Sequence, residues 1–102
     1  MVVRIVRMQF MPEKVADFKK TFDNTYDRIR NFEGCRFLEL YQDEKDATVF
    51  YTISKWEHPD QLEVYRNSEL FRQTWAITKS YFSGPPLAYS LMKNVEDPTN
   101  PF

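Results

Sequence analysis

Few side chains in this sequence can take a proton, attack a carbon or hold an anion at neutral pH. His58 is the single imidazole. Its unperturbed pKa lies near neutrality, so it is the natural general base. It also stands immediately before Pro59-Asp60, a pattern that marks the exposed start of a helix. Cys35 is the single cysteine, which rules out a disulfide within the chain. In the run Gly-Cys-Arg-Phe-Leu-Glu-Leu it reads as a small buried hydrophobe at the start of a strand. A cysteine nucleophile needs a basic neighbour, and the one histidine is well removed along the chain. Arg4 alternates with Val2, Val6 and Met8. If that face meets helices, its guanidinium stands at the edge of a pocket. There it can hold a phenolate or carboxylate, or pair with an acid near the strand end. One His and one Cys cannot make a zinc cluster. Two glycines far apart give no phosphate loop and no flavin or nicotinamide fingerprint.

The chain that must position these groups has 102 residues, enough for one domain. Nine Phe, six Tyr and two Trp are more large apolar surface than so short a chain readily buries alone. That excess calls for a second subunit or an apolar pocket. Fourteen basic and fifteen acidic residues are interspersed, so there is no electrostatic footprint for nucleic acid and no basic tract for an anionic membrane. The first ten residues carry Arg4 and Arg7 within an apolar run and lack a small-residue cleavage site, unlike a signal peptide. No apolar stretch approaches the length of a membrane span, and the expected location is cytoplasmic.

Periodicity supplies the elements. Residues 2–10 alternate, with Val2, Arg4, Val6, Met8 and Phe10 on one face and Val3, Ile5, Arg7 and Gln9 on the other. After Pro12, the spacing of Val15, Phe18, Phe22, Tyr26 and Ile29 predicts one helical stripe to about Asn31, with Gly34 as a left-handed cap. Residues 35–42 and 47–56 read as a hairpin joined by the polar turn 43–46. His58-Pro59-Asp60 opens a short helix with Leu62 and Tyr65 inward. Asn67 or Ser68 caps the next helix, whose stripe Phe71, Trp75, Thr78, Phe82 runs to the break at Gly84-Pro85-Pro86. A last strand spans 87–95, giving a domain over 1–95, and 96–102 forms a loose tail. The order βαββαβ is a ferredoxin-like α+β fold with a four-stranded antiparallel sheet. Helices cover only one face of such a sheet, and Val3 and Ile5 lie on the other. Pairing with a second copy into a homodimer resolves this.

Three stretches resemble the antibiotic biosynthesis monooxygenase family of the dimeric α/β-barrel superfamily. They are Phe32-Glu33-Gly34-Cys35 at the entry to the second strand, Ile53-Ser54-Lys55-Trp56-Glu57-His58 at the end of the third, and the helix pair Leu62 to Phe71. The resemblance covers roughly residues 3–95, nearly the whole chain. The helix His of the family pattern falls at Tyr65, and the Glu of its third strand at Ser54. The Asn, Trp and haem-ligating His of the haem-degrading branch fall at Val6, Tyr65 and Trp75, which speaks against haem degradation by that route. The superfamily also holds isomerases and members without known chemistry, and fold does not fix function.

What the resemblance implies is a cofactor-free monooxygenase for an aromatic or quinol-like small molecule, bound between helices and sheet. Tyr65 would then bond a substrate oxygen, with His58 as the second catalytic candidate. Arg4, Val6, Met8, Phe22 and Trp75 would line the substrate pocket. No cofactor and no metal is expected, and the partners would be a second copy of the chain and a small aromatic or quinone-like ligand. The competing expectations are a non-catalytic ligand-binding or stress-associated protein on this fold, and an isomerase or lyase. Trp56, at the end of the third strand, reads as packing.

Overall fold

A computed structural model describes residues 1–93. The alternating, β-branched first segment forms β1, Val2–Gln9. A single 3-10 turn at Pro12–Lys14 leads into α1, Val15–Arg30. Strands β2, Cys35–Gln42, and β3, Val49–Trp56, follow as a hairpin. Two helices come next, α2 at Pro59–Arg66 and α3 at Glu69–Lys79, and β4, Leu87–Met92, closes the fold. All neighbours in the four-stranded sheet are antiparallel, in the order β2-β3-β1-β4. This is the ferredoxin-like arrangement expected of the element order. The expected end of the last strand at Val95 and the tail 96–102 lie outside the described residues. Among those described, no helix is long and apolar enough to cross a membrane.

Two apolar clusters hold the helices on the sheet. One gathers Val2, Ile29, Cys35, Leu38, Trp56 and Leu62 beneath the start of α2. The other gathers Met8, Phe10, Phe18 and Phe50 beneath α1, with Trp75 and Phe82 packed against it. Even-numbered residues of β1 therefore face the helices. Thr25 joins the stripe of α1 and is buried. Its hydroxyl is satisfied by the helix's own carbonyls, donating to Thr21 O at 2.9 Å.

Local chemistry sets the element ends, and several differ from the expectation. The helix α1 stops at Arg30 with Asn31 as its cap. Gly34 is not that cap but takes φ +89° in the turn into β2. The β2–β3 connection is six residues, 43–48, not four. Asp43 Oδ2 accepts the amides of Lys45 and Asp46, and Asp46 Oδ1 accepts both the amide and the hydroxyl of Thr48, which consumes residues 47 and 48 in the loop. His58 and Ser68 cap α2 and α3 with their side chains, at 3.1 Å to Asp60 N and 3.1 Å to Phe71 N. Helix α3 ends at Lys79, short of Phe82. The chain there turns to pair with the end of β1, through Met11 N to Tyr81 O and Ser83 N to Gln9 O, both 2.9 Å. Phe82 is drawn onto Phe10 instead of continuing the helix.

The sheet face away from the helices is open and carries an apolar strip, with Arg7, Glu39 and Lys55 on the same face. Leu87, Tyr89 and Leu91 of β4 are 48%, 52% and 48% exposed, beside the half-buried Val3, Ile5 and Ile53.

Candidate functional site

The register stacks three rows of side chains on the helix-facing side of the sheet. Arg4 lies between Ser54 and Ser90, Val6 between Thr52 and Ala88, and Met8 beside Phe50. Over these rows the helices leave a cavity of about 310 Å³. Strand β1 contributes Arg4, Val6 and Met8, and α1 contributes Phe18, Phe22 and Thr25. Helix α2 supplies Tyr65 and Arg66, and α3 supplies Phe71, Thr74 and Trp75. Pro86 and Ala88 stand at the β4 side, where the strand's own side chains are exposed. A cavity of this size, largely apolar and with few polar groups, has the form of a small-molecule site.

A run of aromatic rings fixes the wall. Tyr65 stacks on Trp56 at 4.9 Å between centroids and meets Phe32 and Phe71 edge-on at 5.3 Å each. Phe71 stacks in turn with Trp75 at 5.9 Å, and Trp75 meets Phe82 at 5.6 Å. Contacts of this kind hold Tyr65 and Trp75 in place before any ligand arrives. Among the described residues, the Tyr65 hydroxyl makes no hydrogen bond. Burial pushes its pKa well above the ordinary value of 10, with the nearby Cys35 thiol adding to the rise. Tyr65 is therefore a neutral phenol at any physiological pH, a hydrogen-bond donor with a free proton and not a base.

Arg4 donates to Ser90 Oγ at 2.9 Å. Burial lowers its pKa first, and Arg66 lowers it further, while Glu63 acts the other way. Ser54 accepts the Trp56 indole N–H at 2.9 Å, which leaves its own proton available to the cavity.

Of the residues the sequence pointed to, Arg4, Val6, Met8, Phe22, Tyr65 and Trp75 all border this one cavity. His58 does not. It is exposed at the start of α2, with its Nδ1 accepting the Asp60 amide, because Pro59 fixes the helix start there and the imidazole serves as the cap. Sequence reasoning missed Arg66 and the hydroxyls of Thr52, Ser54 and Thr74. The signal for Ser54 and Thr52 was present, since alternation places both on the Trp56 side of β3. A second, polar cleft of about 390 Å³ lies around Gly34 and Gln61. Three of its charged side chains are already engaged, with Arg36 on Glu57 at 2.6 Å and Arg30 on the Cys35 carbonyl at 2.9 Å. No group of three or more potential metal ligands occurs among the described residues.

A sequence profile described as antibiotic biosynthesis monooxygenase matches residues 1–76. A crystal structure named as an antibiotic biosynthesis monooxygenase superposes with a TM-score of 0.86 at 17% identity, covering 92% of this chain and 99% of the other. A conserved protein from Methanosarcina mazei gives 0.86 at 19% identity, with 92% and 94% covered. Rv0793 from Mycobacterium tuberculosis gives 0.85 at 19%, with 93% and 96% covered. At such identities the likeness shows a shared fold. No curated protein matches the chain.

Proposed function

Because the chain belongs to the antibiotic biosynthesis monooxygenase family, we propose that it is a cofactor-independent monooxygenase acting on an aromatic or quinol-like small molecule. The observation that carries this reading is the ring-walled cavity bordered by Tyr65, whose hydroxyl makes no hydrogen bond among the described residues. A substrate of this class brings its own electrons. Loss of a phenolic or benzylic proton makes it electron-rich enough to pass one electron to O2. Superoxide then recombines with the substrate radical at carbon, and the resulting peroxide loses water. The net change is CH2 plus O2 to C=O plus H2O.

The protein's share is to hold the ring, keep bulk water away and stabilise the anion. Tyr65, held neutral by burial, donates to the developing oxyanion. No carboxylate or imidazole borders the cavity among the described residues. The substrate proton therefore passes to water at the mouth, favoured by stabilisation of the anion it leaves behind. The same absence of a base favours a second reading, ligand binding without turnover.

Oxygen uptake across a panel of anthrones and naphthoquinols separates the two. The proposal expects saturable uptake without added flavin or metal, persisting in chelator. Tight binding with no uptake would establish the second reading in its place.

The reading includes a homodimer joined through the open sheet face. Leu87, Tyr89 and Leu91 with Val3, Ile5 and Ile53 form a continuous apolar surface that a second copy would remove from water.

A further inference from the structure

We infer that the cavity takes an aromatic acid, its ring among Phe22, Phe71 and Trp75 and its carboxylate on the guanidinium of Arg4. The inference rests on the aromatic reading above and names the substrate more closely. It follows from the polarity of the cavity along β1. At the Met8 end the neighbours are Phe18, Phe22 and Trp75, packed in one apolar cluster. Two rows away, Arg4 lies flanked by the hydroxyls of Ser54 and Ser90, with Arg66 lining the cavity from α2. A ligand that matches both ends is apolar for most of its length and anionic at one end.

Among the described residues the charges at that end do not balance. Arg4 carries five N–H donors, and its one side-chain hydrogen bond goes to a neutral hydroxyl, Ser90 Oγ. Among the described residues no carboxylate lies within ion-pair distance of it. Glu63, the acid that Arg4 senses, is already on Arg66 at 3.4 Å. Among the described residues, two guanidinium groups therefore share one carboxylate at this end of the cavity. Holding a partly desolvated cation without an acid is unfavourable unless something supplies the acid. A bound carboxylate does so, and the planar guanidinium can grip it with two parallel bonds. Arg4 and Tyr65 both border the cavity, so a bound ring can present a carboxylate to one and a phenolic oxygen to the other.

Calorimetric titration of the full chain with 1-naphthol and with 1-hydroxy-2-naphthoate tests this, because the two share a ring system and differ by the carboxylate. The acid should bind at least about tenfold tighter to the native chain. Arg4→Gln should bring that ratio to about one while moving naphthol affinity by less than about threefold. Equal affinities in the native chain would overturn the inference even if the variant does not fold. So would a ratio that Arg4→Gln leaves unchanged. Failure of both compounds to bind would overturn the aromatic reading itself, and the inference with it. Naphthol binding without preference for the acid would remove only the inference.

Discussion

Tyr65 is gripped by Trp56, Phe32 and Phe71, so its ring contributes packing and its hydroxyl contributes chemistry, and the two can be separated. Tyr65→Phe keeps the ring. Denaturant unfolding should place the variant within about 1 kcal/mol of the native chain, since the hydroxyl removed had no partner to lose. Turnover should fall about 100- to 1,000-fold in kcat, the effect of deleting one donor to an oxyanion. Unchanged kcat would reduce Tyr65 to packing. Burial raises the pKa of Tyr65, and likewise that of the Cys35 thiol. Above about pH 9–10 the unfolded chain loses these protons while the folded chain retains them. Stability is therefore full below those values and declines as pH rises through them. Unfolding midpoints measured between pH 8 and 11 should show this decline, and Tyr65→Phe should flatten its upper part. At this scale the sequence was informative about type and silent about surroundings. It marked Tyr65 and Arg4 as groups able to meet a ligand. It placed His58 at the exposed start of a helix, and the structure adds that its imidazole is engaged there by the Asp60 amide.

At the scale of elements, the placement of α2 decides where Tyr65 stands, and Gly34 controls that placement. Its φ of +89° is left-handed, and a Cβ there would come within 2.4 Å of Gln61 Oε1 and 2.7 Å of Gln61 Cβ, one turn of α2 before Tyr65. Gly34→Ala should cost about 1–3 kcal/mol, read from chemical denaturation, and should weaken ligand binding because α2 must shift. An alanine variant as stable as the native chain would show that the turn has room to relax. The strands and helices themselves were legible, because alternation in β1 and the stripe Phe18, Phe22, Ile29 are strong periodic signals. Their ends were less so. The last turn expected of α3 gives way to pairing of residues 81–83 with β1. That pairing is a long-range contact between segments some 70 residues apart, and no local propensity encodes it. The loop 43–48 lengthened for the opposite reason. Two aspartates captured nearby amides, a local effect that a count of turn residues does not resolve.

For the whole molecule, the sheet has one face covered by helices and one face of exposed Leu87, Tyr89 and Leu91. Sedimentation at micromolar concentration should report about twice the mass of one chain. A double change, Tyr89→Glu with Leu91→Glu, should yield a folded monomer, since both positions are exposed and a charge there disturbs only the pairing. A native chain that sediments as a monomer would contradict the dimer. The central claim, however, concerns oxygen. Incubation of the full chain with an anthrone or quinol under 18O2, followed by mass spectrometry of the product, tests it most directly. Monooxygenation predicts one 18O atom in each product molecule and the other in water, in step with oxygen consumed. A product carrying no 18O, or a substrate transformed without consuming oxygen, would contradict it.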